Sequence, residues 1–364
     1  MAKKQIDTLI MAGGTGGHIF PALAVADELQ QRGQSLAWLG SAKSMEAQRI
    51  PPTGIEFHAL AISGLRGKGK LTLLLAPLRL LAAVWQAWKL LRRLRPRRVI
   101  GFGGFASGPG GLAAILLRIP LYIHEQNARP GMTNRYLAPF AHRVFAAFPT
   151  PFKSKKPVIC LGNPVRAEVS RIPPPQQRFA SRQGPRRLLV VGGSLGAQIF
   201  NQTLPSALAL LPAEVDVEVR HQAGGGKEEM TRAAYQANWN HQERLQLSAF
   251  IEDMAEALAW ADLVVCRAGA LTVSEVAAAG VAAIFVPYPF AVDDHQTHNA
   301  RFLSDAGAAL LVPQPELTPE HLAELLQQEL QQPQQLLERA VKARSLAQPE
   351  ATVNLTDYLM KDEA

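Results

Sequence analysis

The chain has 364 residues, 48% of them hydrophobic and 19% charged. That composition excludes a disordered chain, and the length exceeds what one hydrophobic core usually holds, so two domains are expected. A net charge of +8 points to an anionic partner, and two widely separated cysteines, Cys160 and Cys266, exclude a disulfide scaffold and read as free thiols of a reducing cytoplasm.

The first element is a strand-like run, 6–11. It feeds the stretch Met11-Ala12-Gly13-Gly14-Thr15-Gly16-Gly17-His18, and a helical pattern follows over 21–32. Glycines there let backbone N–H groups approach a ligand, and the start of a helix adds unpaired donors and a positive dipole end. Two nucleotide motifs fail. The dinucleotide fingerprint G-x-G-x-x-G would need glycine at Ile19, and no Lys-Ser or Lys-Thr completes a P-loop.

Short buried strands are expected at 36–40, 99–102 and 120–123, with helices over 77–95 and around 109–117. This alternation predicts βα units and a parallel sheet, whose ligands gather at the carboxyl ends of the strands. A second glycine-rich loop, Gly101 to Gly111, and the polar run His124-Glu125-Gln126-Asn127 occupy such ends.

No acidic residue occurs from Phe57 to His124, while eleven basic ones do, from Arg66 to Arg118. On the helix through this region Arg79, Gln86 and Arg93 recur every seven residues, with Lys89 and Arg92 nearby. Leu78, Leu81, Val84, Trp85, Trp88 and Leu91 fill much of the remaining circumference. A basic stripe beside a broad apolar surface suits an interfacial helix on anionic lipid. Leu73 to Leu91 is a poor transmembrane span because Arg79 and Lys89 interrupt it. Nucleic acid is not expected, since no aromatics suited to base stacking interleave with the charges.

Prolines crowd residues 149–175, which marks a domain boundary. The opening device then returns: strand Arg187 to Val191, turn Gly192-Gly193-Ser194-Leu195-Gly196-Ala197, then a helix. Strands follow near 216–221, 245–248, 263–266 and 283–287. Two polar segments lie beyond them. In Cys266 to Glu275 a turn at Ala268-Gly269 opens a helix whose start can hold a diphosphate on N–H groups. Glu275 on that helix is placed to accept hydrogen bonds from ribose hydroxyls, or serves only as a first-turn acid. The loop 287–299 carries carboxamides suited to sugar hydroxyls. The tail, 349–364, reads as a final helix with Val353, Leu355, Tyr358 and Leu359 on its apolar side. No D-x-D metal motif is present, so no metal and no cofactor is expected.

Taken together, these stretches resemble the MurG family, bacterial transferases that add N-acetylglucosamine to lipid-linked N-acetylmuramyl-pentapeptide, converting lipid I to lipid II in peptidoglycan synthesis. The resemblance is carried by Gly13 to His18, Ile62 to Lys68, Gly103 to Pro109, His124 to Asn127, Gly162 to Arg166, Gly192 to Ala197, Arg267 to Glu275 and Asp293 to Gln296. It implies an α/β GT-B architecture of two Rossmann-like domains with an interdomain cleft. Residues 1–163 would bind acceptor and membrane, 164–348 would bind UDP-N-acetylglucosamine, and helix 349–364 would return to the first domain.

Residue by residue, the resemblance implies that Ile251 meets uracil through its backbone and Glu275 binds ribose. Ser194 and the helix start Ala270, Leu271 and Thr272 would hold the diphosphate, and Val273 and Ser274 would belong to the same donor-binding segment. Gln296 and Asn127 would contact the sugar, and Arg166 would close the nucleotide side. Thr15, Gly16 and Gly17 would line the cleft from the first domain. The nucleophile would be the C4 hydroxyl of N-acetylmuramic acid, and His18 or Glu125 its general base. Partners would be UDP-N-acetylglucosamine, the lipid I acceptor, an anionic membrane met through Arg79, Trp85, Trp88, Lys89, Arg92 and Arg93, and other cell-wall synthesis and division proteins. The location would be the cytoplasmic face of the inner membrane. The rival reading is a soluble UDP-sugar epimerase or hydrolase of the same architecture.

Overall fold

The computed structural model describes residues 5–42, 44–61, 75–149, 154, 157–193 and 195–361. The chain separates into two compact units, Met1–Arg166 together with Pro349–Ala364, and Ala167–Gln348. The sequence pattern draws the boundary after 163. The units divide after Arg166, so Arg166 belongs with the first.

In the first unit, β1 (Thr8–Ala12), β2 (Leu36–Ser41), β3 (Glu56–Leu60), β4 (Arg98–Gly103), β5 (Leu121–Glu125), β6 (Arg143–Ala146) and β7 (Val158–Cys160) form one parallel sheet, ordered β3-β2-β1-β4-β5-β6-β7. The sequence pattern misses β3, β6 and β7, which are too short to show a period. Successive side chains of a strand face opposite ways, so the sheet builds two cores. Leu9, Met11, Leu39, Val99 and Ile123 share one. Ile10, Trp38, Ile100, Tyr122 and Phe145 share the other.

The tail helix Ala351–Lys361 completes the second of these cores with Leu355 and Leu359, both fully buried. Burying two leucines contributes roughly 1.5–3 kcal/mol each. Arg98 locks the helix: its guanidinium donates to Thr8 Oγ1 at 2.8 Å, to the Leu359 carbonyl at 2.5 Å and to Gln34 Oε1 at 2.5 Å. Arg98 is therefore a buried structural cation, not part of the basic surface the sequence suggests.

In the second unit, β8 (Arg186–Val191), β9 (Val217–Gln222), β10 (Leu245–Ser248), β11 (Leu263–Cys266), β12 (Ala282–Phe285) and β13 (Ala309–Leu311) form a second parallel sheet, ordered β10-β9-β8-β11-β12-β13. Here Leu188, Val190, Val217, Val219, Val265 and Ile284 enter one core beneath the flanking helices.

The register aligns the strand ends. Val191 pairs with Gln222 and Cys266, Gln222 with Ser248, and Cys266 with Phe285. The loops after β8, β9, β10, β11 and β12 thus leave one edge together. In the first unit Met11 pairs with Leu39 and Gly101, Gly101 with Ile123, and Ile123 with Val144. That alignment brings the glycine turn, the second glycine loop and His124–Asn127 to one edge.

Candidate active site

The helix after β1 begins at Gly16, five residues before the pattern predicts. Gly16, Gly17 and His18 are therefore its first three residues, and Thr15 is its N-cap in extended conformation. Pro21 lies inside the helix and gives up one bond to the turn before it. His18 is half-buried, with Nδ1 3.3 Å from Thr15 Oγ1. Its ring lies against Gly103, where a Cβ would come within 3.1 Å of Nε2. Gly104, at φ +86°, abuts the Gly13 backbone so closely that a Cβ would meet the Gly13 carbonyl. The two glycine loops of this unit pack as one piece.

Behind the turn stands Glu46, which the sequence reading passes over. It is fully buried, on the short helix Met45–Arg49. Oε2 accepts from the Gly14 N–H at 3.2 Å, and Oε1 from the Ser41 N–H at 2.9 Å and hydroxyl at 2.8 Å. Burial by itself would raise its carboxyl, but hydrogen bonds involving Ser44, Ser41 and backbone hold it below the ordinary range. The first glycine turn is thus backed by a buried negative charge.

Glu125 is 1% exposed, and both of its oxygens are engaged. Oε1 accepts from the Asn127 N–H and Nδ2 at 2.9 and 3.1 Å, Oε2 from the Gly131 N–H and Asn134 Nδ2 at 3.0 and 2.9 Å. This corrects the expectation of a general base: four donors on a buried carboxylate make it the organiser of the loop that carries Asn127. His124, also buried, has Nε2 3.0 Å from the Gly162 carbonyl, and burial lowers its pKa to about 4. Arg166 is half-buried, its guanidinium 5.9 Å from the Phe20 ring centre.

In the second unit, Ser194 lies outside the described residues. Gly193, just before it, has φ +86°, and Gly196 presses on the Ala223 carbonyl with no room for a Cβ. Gln222, at the end of β9 and 1% exposed, joins two loops: Nε2 donates to the Gly193 carbonyl at 2.7 Å, and Oε1 accepts the Ile251 N–H at 3.0 Å.

The helix Ala270–Ala279 starts after Gly269 with no side-chain cap. By helix geometry the N–H groups of Ala270, Leu271 and Thr272 have no intrahelical acceptor. Val273 is core. The Ser274 hydroxyl donates to the Ala270 carbonyl at 2.9 Å. Glu275 is 6% exposed and, with Thr272, Met254, Leu258 and Cys266, lines a small pocket of about 40 Å³.

Two side chains pin this region. Arg267 donates to the carbonyls of Val286 and Pro287 and to Gln314 Oε1, and Asn299 Nδ2 donates to the Ala268 carbonyl at 3.2 Å. Gln296 Oε1 accepts the Tyr288 N–H at 2.9 Å, so the N–H₂ is the donor end of this amide. It follows Asp293 and Asp294, both held at positive φ (54° and 51°). Among the described residues no group of three His, Cys, Asp or Glu could hold a metal ion.

The helix Ala76–Leu94 buries only Ala83, Ala87 and Leu91, a single stripe. Leu91 therefore belongs to the core face. Leu78, Leu81 and Trp85 are 63, 65 and 56% exposed. Lys89 Nζ sits 3.4 Å from the Trp85 ring centre and the Arg92 guanidinium 4.6 Å from that of Trp88. Arg79 and Arg93 are exposed. Exposed Leu112 and Leu116, on the adjoining helix Ser107–Leu116, carry further apolar surface. Among the described residues no helix is long and apolar enough to cross a membrane. Arg66, Lys68 and Lys70 and the motif 62–68 lie outside the described residues.

Residues 8–146 match the glycosyltransferase family 28 N-terminal domain and 187–355 the family 28 C-terminal domain. The chain is similar to a UDP-N-acetylglucosamine–N-acetylmuramyl-(pentapeptide) pyrophosphoryl-undecaprenol N-acetylglucosamine transferase of Marinobacter nauticus, 56% identical over 97% of this chain and 96% of that one. A protein of the same name from Ralstonia nicotianae is 53% identical over 96% and 94%. The crystal structure of Acinetobacter baumannii MurG superposes with a TM-score of 0.84 at 44% identity, covering 98% of this chain and 99% of that one.

Proposed function

The chain belongs to the MurG family of glycosyltransferases, and from that premise we propose how its two domains divide the transfer of N-acetylglucosamine from UDP-N-acetylglucosamine to lipid I. The chain is an N-acetylglucosaminyltransferase that makes lipid II. Its two parallel-sheet Rossmann-like domains are the GT-B architecture.

The second domain holds the donor. The observation that carries this is the uncapped start of Ala270–Ala279 beside a cavity lined by Glu275. The N–H groups of Ala270, Leu271 and Thr272 and the positive end of the helix meet the diphosphate, and the Glu275 carboxylate accepts from ribose hydroxyls. Gln296 offers N–H₂ to the sugar. Ile251 meets the uracil through its backbone. Asn127, held by Glu125, contacts the sugar, Arg166 closes the nucleotide side, and Thr15, Gly16 and Gly17 line the side of the donor's sugar, away from UDP.

The first domain supplies the base. His18 takes the proton of the C4 hydroxyl as that oxygen attacks the anomeric carbon. The bond from the anomeric carbon to the UDP oxygen breaks, its electron pair leaves on the diphosphate, and the anomeric centre inverts. Thr15, within 3.3 Å of Nδ1, orients the ring. The leaving charge is balanced by the helix start at Ala270.

The acceptor reaches the protein from an anionic leaflet, the cytoplasmic face of the inner membrane. Trp85, Trp88, Arg79, Lys89, Arg92 and Arg93 meet that surface. A UDP-sugar epimerase or hydrolase is not favoured, because it has no use for this exposed basic and apolar helix.

The test is transfer from UDP-N-acetylglucosamine to a lipid I analogue, reading product linkage and UDP release together. A β-1,4 disaccharide formed in step with UDP is expected. UDP release with no disaccharide would favour hydrolysis.

A further inference from the structure

Gln222 has no part in the reading above, yet its side chain occupies the point where two donor-binding loops meet. Strand β9 lies between β8 and β10, and Gln222 is in register with Val191 on one side and Ser248 on the other. Beyond Val191 comes the turn that leads to Ser194. Beyond Ser248 comes the loop that carries Ile251. The carboxamide spans both, donating to the Gly193 carbonyl at 2.7 Å and accepting the Ile251 N–H at 3.0 Å. Each bond uses a different end of the amide, so no other side chain of this length makes both. Burial removes competition from water and makes an unpaired end costly.

The turn closes around the carbonyl that Gln222 holds. That carbonyl also receives the Gly196 N–H at 2.8 Å, and Gly196 is wedged against the loop after β9. A shift of the carboxamide therefore moves the diphosphate end and the base end of the site relative to each other.

We propose that Gln222 is a positioning residue for the nucleotide, fixing the distance between the base loop at Ile251 and the diphosphate turn at Gly193. This rests on the second domain holding the donor. A nucleoside diphosphate engages both loops at once, and its affinity depends on their spacing as well as on the contacts themselves.

The test uses the full chain and compares Gln222→Glu, Gln222→Met and Glu275→Ala. Gln222→Glu keeps the shape and the acceptor for Ile251 but sets an oxygen against the Gly193 carbonyl. Gln222→Met keeps length and loses both bonds. For each variant KM for UDP-N-acetylglucosamine, KM for a lipid I analogue, inhibition by UDP and Tm are measured. Both Gln222 variants should raise KM for the donor about tenfold or more and weaken UDP inhibition in parallel, with KM for the acceptor unchanged. If either folds and leaves donor KM and UDP inhibition as in the parent while Glu275→Ala weakens both, the inference fails and the donor site stands. If Glu275→Ala also changes neither, the donor-site reading fails and takes this inference with it. A fall in Tm and kcat with both KM values intact would make Gln222 a stabilising residue only and overturn the proposal.

Discussion

The two glycine turns open the two sheets in the same way, yet they are backed by opposite chemistry. In the first domain the Gly14 N–H is spent on Glu46, a buried carboxylate that stays ionised. In the second, the Gly193 carbonyl is held by the neutral amide of Gln222. A buried negative charge within reach of a turn repels a second anion, because charges interact strongly where water is excluded. An amide that takes a carbonyl sets no negative charge behind its turn. The likeness of the two turns in sequence hides this difference, and the difference supports the proposal that the nucleotide diphosphate binds the second domain and the base comes from the first.

Four measurements separate the work of the two domains, in order of falling effect. His18→Ala should lower turnover by roughly 10²–10⁴, the usual share of a general base, and leave KM for the donor near its parent value. Steady-state kinetics with both substrates varied checks this, and a large rise in donor KM would move His18 to the donor side.

The double variant Arg92→Ala/Arg93→Ala should weaken binding to anionic vesicles by roughly 30-fold, at about 1 kcal/mol per charge near lipid. Turnover on a short-chain, detergent-free acceptor should stay as in the parent, since such an acceptor does not need the membrane surface. Co-sedimentation with vesicles of graded anionic content reads the first effect.

Each domain also buries one neutral histidine. Burial lowers His124 to about 4 and His221 to about 3. Both values lie below that of an unfolded histidine, so between pH 6.5 and pH 4 the unfolded chain binds protons the folded one does not, and stability falls as pH falls. The loss is about 2 kcal/mol for each histidine at pH 5. Thermal melts from pH 7.5 to 5 should show a falling Tm. His124→Gln and His221→Gln should each flatten the slope.

The smallest effect is expected of Glu46→Gln. It removes the charge behind the first turn and sets an N–H₂ against the Gly14 N–H. Turnover should fall by roughly five- to tenfold, the value of one displaced hydrogen bond, with donor KM unchanged. A change in donor KM alone would show that this turn holds the nucleotide after all.

Much of this was legible in the residues. Alternating short apolar runs and helical patterns fix the two parallel sheets, and the glycine turns fall at the carboxyl ends of β1 and β8. The helix at 349–364 is visible from Leu355, Tyr358 and Leu359. What escaped is what depends on distant pairing. Glu46 lies 32 positions from Gly14, and Gln222 lies 29 from both Gly193 and Ile251. Nothing local marks either as a partner of those loops. The same reason misplaces Glu125 and Arg98. A carboxylate after a strand reads as acid–base chemistry until four loop donors are found on it, and an arginine in a basic run reads as surface until it is found holding the last helix.

Hydrogen exchange of the full chain with and without UDP tests the division of labour most directly. The account predicts slowed exchange in 192–197, 249–252 and 269–275, and unchanged exchange in 12–19. Protection of 12–19, with the second domain's loops unaffected, would contradict it.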